Sequence, residues 1–242
     1  MDKVTEIAKM IDHSLLHPTF TDDDLVKECK VCRDYNVATA CVKPYHVKEA
    51  AKLLKKSGVG VCAVVGFPAG NSKINVKVFE TEEAIKDGAT EIDMVVNLGK
   101  VVSEDWKYIE KEIAAIRKVT KKHNVILKVI FENDLMPSDK HKIKLCQICS
   151  KCKVDFVKTS TGYNFVKGPD GKYFYKGATD DDLKLMRKHS DKKVQVKAAG
   201  GIGTLEALLR VKELGVTRIG AKTTAQIVED ARKMFGSCCC EK

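Results

Sequence analysis

The chain has 242 residues, of which 44% are hydrophobic and 31% are charged, which is typical of a globular protein with a sizeable core. No apolar run approaches the length of a membrane span, and the first residues lack the basic-then-apolar pattern of a secretory signal. We therefore expect a cytoplasmic protein without a membrane partner.

The formal net charge of +10 is compatible with nucleic-acid binding. Basic residues are nevertheless spread along the predicted helices with acidic residues among them, and the single tryptophan leaves no repeated aromatic–basic interleaving. We expect no nucleic-acid partner. A solvated surface accounts for most of the charge, and attraction of an anionic substrate is a second use for it.

Strand-like and helix-like segments alternate along the chain after a short amphipathic N-terminal helix. Thr21 and Thr179 each precede three aspartates and are predicted N-caps, and Ser103 is predicted to cap a long helix that ends near Lys122. The predicted strands are Ile11–Leu16, Val37–Val42, Val59–Gly66, Glu91–Asn97, Val125–Glu132, Phe156–Ser160, Val194–Ala199 and Arg218–Gly220.

Eight strands alternating with eight helices indicate an α/β protein with parallel strand pairing. This number of units in this length favours a closed TIM (β/α)8 barrel over an open doubly wound sheet. No low-complexity linker interrupts the pattern, so we expect a single domain over residues 1–242. Chemistry in such a barrel is expected at the C-terminal ends of the strands.

The connection between Gly162 and Thr179 is unusually long. Its Pro169-Asp170-Gly171 sequence, between two runs that contain aromatic residues, predicts a β-hairpin. The hairpin would lie over the mouth of the barrel. A lid, a contact between subunits and a surface insertion without function all remain possible roles.

Strand alternation predicts which polar side chains share a face. Asp93, Lys128, Lys158 and Lys197 lie on four different strands, at positions that converge if those faces line the barrel. Lys158 alone could be an edge-strand lysine facing water, and the whole group could be a structural ion-pair network. Several buried lysines with a carboxylate nevertheless favour a functional site.

A second ammonium group close to a buried lysine lowers the pKa of that lysine. A free lysine has a pKa of about 10.4, and lowering it by roughly three units requires about 4 kcal/mol of bias against the charged form. Burial and a nearby cation supply such a bias, and a neutral lysine forms a Schiff base with a carbonyl substrate. The sequence therefore predicts carbonyl chemistry.

Two glycine-containing loops follow the seventh and eighth strands, at Gly200–Gly203 and Gly220–Thr224. Backbone N–H groups at helix N-termini suit phosphate, and this barrel usually binds phosphate at these two loops. We expect a phosphorylated small-molecule substrate.

The chain resembles the deoxyribose-phosphate aldolase family. The resemblance lies in the segments Phe156–Gly162, Glu91–Asn97, Val196–Ile202 and Asp12–Leu16, and in the shorter segments Gly66–Pro68 and Leu127–Ile130. It implies a class I aldolase that reversibly cleaves 2-deoxy-D-ribose 5-phosphate to D-glyceraldehyde 3-phosphate and acetaldehyde, without a cofactor or metal. It also implies a homo-oligomer, either a dimer or a tetramer.

The resemblance assigns roles to individual residues. Lys158 matches the Schiff-base lysine, Lys197 the second lysine that lowers its pKa, and Asp93 the acid/base. The expected substrate and phosphate contacts are Gly200, Gly201, Gly220, Ala221, Lys222 and Thr161.

Several departures from the family pattern leave Lys158, Lys197 and Asp93 unchanged and concern substrate binding, among them the lack of the C-terminal tyrosine that some relatives have. Lys222 replaces a small hydroxyl residue, and the hairpin replaces a short glycine-rich turn. Ser14 and His17 stand where threonine and lysine are common, and Lys43 where asparagine is frequent.

The cysteines have metal-ligand spacing at Cys29–Cys32 and at Cys146, Cys149 and Cys152. Because both sets lie in predicted amphipathic helices, we expect core packing there and no metal. We expect the Cys238–Cys240 tail to be disordered and reactive. Two alternative functions remain: another Schiff-base aldolase or transaldolase, and a cysteine-bound metal or nucleic-acid-binding protein.

Overall fold

Residues 2–236, which the computed structural model describes, contain eight parallel strands closed into a barrel. Two further short strands, β7 (Val166–Lys167) and β8 (Tyr173–Phe174), lie outside the barrel. The barrel strands are β1 (Ile11–Leu15), β2 (Thr39–Val42), β3 (Gly60–Val65), β4 (Glu91–Val95), β5 (Ile126–Ile130), β6 (Phe156–Lys158), β9 (Gln195–Ala199) and β10 (Val216–Ala221). They pair in chain order, and β10 closes the barrel against β1. The predicted TIM barrel is confirmed.

Ten α-helices accompany the strands within these residues. They are α1 (Lys3–Ala8), α2 (Asp22–Asp34), α3 (Val47–Leu53), α4 (Ile74–Lys86), α5 (Leu98–Val102), α6 (Trp106–Lys122), α7 (Asp139–Lys151), α8 (Asp180–His189), α9 (Leu205–Glu213) and α10 (Thr224–Phe235). Helix α1 is the predicted extra N-terminal helix. None of the helices in residues 2–236 is both long and apolar enough to cross a membrane.

Helix capping follows the sequence at two of three predicted positions. Thr21 caps α2 in a capping box with Asp24, and Thr179 caps α8. The prediction for Ser103 is wrong: it follows the short helix α5, and Asp105 caps α6 by accepting the N–H of Tyr108. Asp105 also places a negative charge at the positive N-terminal end of the α6 dipole, which Ser103 could not do.

The outward faces of the strands form the main core with the helices. Ile92 and Met94 of β4 and Ile109 and Ile113 of α6 are fully buried in this layer. Each such side chain stabilises the fold by roughly 1.5–3 kcal/mol. Because side chains alternate along a strand, the inward positions are left for other residues, and several of these carry charges.

The cysteines of the helices belong to the same core. Cys29 and Cys32 of α2 and Cys146 and Cys149 of α7 are buried free thiols, which confirms the expected core packing. Cys152 is only partly buried. The Cys238–Cys240 tail lies outside the described residues.

The strand register places the predicted site residues in two cross-strand pairs on neighbouring strands. Asp93 pairs with Lys128 across β4 and β5, and Lys158 pairs with Lys197 across β6 and β9. Lys158 is the last residue of β6, at the end of the barrel where this fold carries its chemistry, and Lys197 is the middle residue of β9.

The predicted hairpin is also present. Strands β7 (Val166–Lys167) and β8 (Tyr173–Phe174) pair in antiparallel fashion between β6 and α8. Gly171 adopts a left-handed φ of 77° in the turn, which glycine does without steric cost.

Candidate active site

Asp93 is the centre of the charged interior. Its Oδ2 atom lies 2.7 Å from the Nζ atoms of both Lys158 and Lys197, and its Oδ1 atom lies 2.7 Å from Nζ of Lys128. The four side chains are at most 3% exposed. The predicted convergence of three lysines on one aspartate is confirmed.

A second carboxylate extends this cluster across the barrel. Asp12 of β1 lies 2.5 Å from Nζ of Lys197 and 2.6 Å from a guanidinium nitrogen of Arg218, which also contacts Glu91 at 2.9 Å. Sequence reasoning assigned no role to Asp12 and missed Arg218. Asp12 could have been found from alternation, because it shares a face of β1 with Ser14.

The cations and anions of this network are unequal in number. Four cations (Lys128, Lys158, Lys197 and Arg218) contact three carboxylates (Asp12, Glu91 and Asp93). Lys128, Lys197 and Arg218 each contact at least two carboxylates. Within the described part of the chain, Lys158 contacts Asp93 alone, and shares that oxygen with Lys197.

These contacts fix the charges of the groups around Lys158. Burial would raise the pKa of Asp93, but the surrounding lysines hold that pKa well below its usual range. Burial would lower the pKa of Lys197, but the carboxylates of Asp12 and Asp93 reverse this and raise it. Asp93 therefore stays a carboxylate and Lys197 an ammonium at neutral pH.

Above the network lies a cavity of about 710 Å³ at the mouth of the barrel. Asp93 is beneath this cavity and does not line it. The lining includes Lys158, Lys197, Thr161, Gly200, Gly201, Gly220, Ala221 and Lys222, so the other predicted site residues meet at one opening.

The glycine loops present unpaired N–H groups at this opening. Among residues 2–236, no protein acceptor receives the N–H groups of Gly201, Ile202 and Gly203, or those of Lys222 and Thr223. Helix α9 is capped by Thr204, whereas α10 has no side-chain cap. An uncapped helix N-terminus with free N–H groups is a suitable anion site.

The start of α10 is held from outside the barrel by His13. Its Nδ1 atom lies 2.7 Å from the hydroxyl of Thr224, and its Nε2 atom lies 2.7 Å from a carboxylate oxygen of Glu28. Sequence reasoning missed this contact, because it joins residues 211 positions apart.

Two predicted binding residues have particular surroundings. The N–H and hydroxyl of Thr161 both donate to the buried carboxylate of Glu132. The exposed ammonium of Lys222 lies 5.9 Å from the ring centroid of Phe20 and 6.0 Å from that of Tyr163. Thr161 therefore shapes the wall of the cavity, and Lys222 places a cation at its rim.

Cys62 connects the network to possible metal ligands. Within residues 2–236, it forms a three-residue group with Cys41 and Asp93, and another with Asp12 and Glu91, each close enough to hold an ion. Lys128 contacts Cys62, Asp93 and Glu91 at 2.6–3.2 Å. An ammonium group therefore already supplies the positive charge in both groups.

Residues 6–236 match the sequence profile of the DeoC/LacD family of aldolases. The chain belongs to this family. It is 46% identical to the deoxyribose-phosphate aldolase of Rhodopirellula baltica over 231 residues, which cover 96% of this chain and 91% of the relative. It is 44% identical to that of Caldanaerobacter subterraneus subsp. tengcongensis, with 96% of each chain covered. The family resemblance expected from the sequence is confirmed.

A solved structure supports the same assignment. The deoxyribose phosphate aldolase of Aeropyrum pernix, described as having a unique tetrameric structure, superimposes with a TM-score of 0.83 at 27% identity. The superposition covers 96% of this chain and 93% of that one.

Proposed function

We propose that this family member is a class I aldolase that reversibly cleaves 2-deoxy-D-ribose 5-phosphate to D-glyceraldehyde 3-phosphate and acetaldehyde. The reaction proceeds through a Schiff base on Lys158. The observation that carries the proposal is a buried lysine at the base of a cavity, in contact with one carboxylate that two other lysines share.

The charge balance favours Lys158 as the nucleophile. A buried network with one surplus cation is relieved when one ammonium loses its proton. Lys158 is the cation with the fewest carboxylate contacts, and it also lines the cavity. Lys197, whose pKa is raised by Asp12 and Asp93, remains charged beside it.

The neutral amine attacks the C1 aldehyde of the open-chain sugar, and loss of water from the resulting carbinolamine gives an iminium ion. Removal of the C3 hydroxyl proton then forms the aldehyde of D-glyceraldehyde 3-phosphate. The electrons of the C2–C3 bond move to the iminium and leave an enamine on Lys158. Protonation of C2 and hydrolysis release acetaldehyde and the free amine.

Asp93 is the proposed acid/base for these proton transfers. It contacts Lys158 but lies below the cavity, so it exchanges protons with the substrate through a water molecule. The cations around Asp93 hold its pKa low, and it returns each proton readily. Lys128 and Asp12 hold Asp93 and Lys197 in position.

The phosphate end of the substrate is proposed to bind at the opposite side of the cavity. Gly200, Gly201, Gly220 and Ala221 provide a close backbone approach, and the free N–H groups near α10 donate to phosphate oxygens. Lys222 adds a point charge at the rim. Thr161 contributes to the wall through its contact with Glu132.

The family also suggests an assembly and a location. We propose a cytoplasmic homo-oligomer, a dimer or a tetramer, on the basis of the tetrameric relative. Sedimentation of the purified protein would test this, and a monomer at micromolar concentration would contradict it.

Substrate profiling tests the reaction itself. Purified protein is mixed with 2-deoxy-D-ribose 5-phosphate, and acetaldehyde and D-glyceraldehyde 3-phosphate are measured separately, with ketose phosphates tested in parallel. We expect equal amounts of both products and little cleavage of the ketoses. Preference for a ketose phosphate would instead support a different Schiff-base aldolase or a transaldolase.

A further inference from the structure

The hairpin formed by β7 and β8 brings Tyr175 to the wall of the cavity. Tyr175 and Phe165 both line it, and their rings meet edge to face with centroids 6.0 Å apart. Tyr173 of the same hairpin is 68% exposed and is not among the lining residues. The hairpin therefore has one aromatic side on the cavity and one toward solvent.

Tyr175 lies directly against the backbone that follows the Lys197 strand. A β-carbon placed on Gly200 would be 2.0 Å from the Tyr175 hydroxyl and 2.7–2.9 Å from its ring carbons. A β-carbon on Gly162, which follows the Lys158 strand, would be 3.7 Å from the same hydroxyl. One side chain thus fills the space between the ends of the two strands that carry the lysines.

The segment after Tyr175 is fixed to the barrel. The carboxylate of Asp134 accepts the N–H groups of Lys176 and Gly177, and the N–H of Ala178 donates to the carbonyl of Gly200 at 3.1 Å. A β-carbon on Gly177 would lie only 2.8–3.0 Å from backbone atoms of Gly200. Movement of Tyr175 is therefore coupled to Gly200.

Hydrogen bonding does not explain the position of Tyr175. Its hydroxyl and that of Ser160 are buried, and neither has a partner with hydrogen-bond geometry in residues 2–236. A buried hydroxyl without a partner lowers stability. The contact between the Tyr175 ring and Gly200 is therefore the interaction that holds this side chain in place.

We propose that Tyr175 is a positioning residue for the phosphate end of the substrate, an inference that rests on the proposed function. Its ring holds Gly200 and Gly201 in their left-handed conformation, with φ of 90° and 80°, beside the free N–H groups of the loop. Through this loop it makes the site selective for phosphorylated over unphosphorylated aldehyde sugars.

The test compares Tyr175→Ala, which removes the ring, with Tyr175→Phe, which keeps it; Tyr173→Ala is the matched control on the exposed side. Each is assayed with 2-deoxyribose 5-phosphate and with 2-deoxyribose. We expect Tyr175→Ala to raise KM for the phosphorylated sugar about tenfold, with kcat and the unphosphorylated sugar changed less than about twofold. Tyr175→Phe and Tyr173→Ala should match the original protein.

Equal losses on both sugars, or a Tyr175→Phe variant that behaves like Tyr175→Ala, would overturn the proposal. So would unchanged kinetics in Tyr175→Ala. A second measurement separates this proposal from the reaction: inorganic phosphate should raise the Tm of the original protein and of Tyr175→Phe, but not of Tyr175→Ala. If the original protein cleaves no sugar phosphate, the proposed function fails while the Tm comparison still decides the role of Tyr175.

Discussion

Two sets of buried charges in this molecule behave differently. Between the helices and the barrel, Lys77 of α4 pairs with Glu112 of α6 at 2.7 Å, and both side chains are fully buried. Burial lowers the pKa of Lys77 and raises that of Glu112, despite their pairing. Inside the barrel the opposite holds: the pKa of Asp93 is lowered and that of Lys197 is raised.

The difference teaches what makes a buried lysine reactive. A single counter-charge does not offset the cost of burial, whereas several charges around each carboxylate do. The larger network therefore keeps Asp93 and Lys197 charged and places its surplus lysine, Lys158, beside a cavity. Lys77 does not line the cavity at the mouth of the barrel. It is fully buried and donates to Glu112 and to the carbonyl of Val95. Burial alone does not identify a nucleophile.

The largest expected effect separates these two lysines. Lys158→Met should lower kcat by on the order of 10⁴-fold or more, because it removes the nucleophile. Lys77→Met, the matched substitution at a closed site, should keep kcat within about threefold and lower the free energy of unfolding by about 3–5 kcal/mol, because Glu112 is left unpaired. Steady-state kinetics and denaturant unfolding measure both. Comparable loss of kcat in the two variants would remove the distinction.

Asp93→Asn should lower kcat by about 10²–10⁴-fold, because the amide keeps the shape of the side chain but cannot take up the substrate proton. A Schiff base with acetaldehyde should still form. Glu112→Gln is the control for loss of a buried carboxylate, and it should leave kcat near its original value. Full activity in Asp93→Asn would exclude it as the acid/base.

The pH dependence of unfolding should reveal the aspartates of the network. Asp12 and Asp93 have lowered pKa values in the folded chain, so the unfolded chain binds protons more readily and stability falls as pH drops below about 4. Each adds a slope approaching about 1.4 kcal/mol per pH unit. Denaturant unfolding between pH 5 and 2 (a window of about three units) measures it. In Asp93→Asn the slope of unfolding free energy against pH should be smaller by the contribution of one titrating group. A slope identical to that of the original protein would contradict the lowered pKa of Asp93.

The smallest expected effect concerns the rim. Lys222→Ser should raise KM for 2-deoxyribose 5-phosphate by about three- to tenfold with little change in kcat, because an exposed ammonium adds a modest attraction for phosphate. Lys118→Ser, at an exposed position of α6 away from the cavity, is the control for loss of another lysine. Unchanged KM would place Lys222 outside the phosphate contact, and a lower KM would show that its side chain obstructs the site.

Alternation along strands was enough to predict much of this site from the sequence. It placed Asp93, Lys128, Lys158 and Lys197 on inward faces, and the structure joins all four. Arg218 was missed because the predicted strand began there, whereas β10 begins at Val216 and its register shifts between these two residues. Alternation could not be counted across that irregularity.

Other features depend on contacts that no local pattern encodes. The hydroxyl of Thr161 is bound by Glu132, 29 residues earlier in the chain, and Tyr175 reaches Gly200 from a hairpin. Ser103 was chosen as a cap because α5, only five residues long, gives too short a pattern to separate it from α6. Long-range packing decided the positions of Thr161 and Tyr175, and the short spacing between α5 and α6 decided the cap.

The central claim is that Lys158 is the one lysine of the network that forms the Schiff base. The most direct test is to incubate the protein with acetaldehyde, reduce it with borohydride and locate the added ethyl group by peptide mass spectrometry. We predict modification of Lys158 in the original protein and none in the barrel interior of Lys158→Met. An ethyl group on Lys197 or Lys128, or undiminished labelling of the interior in Lys158→Met, would contradict the account.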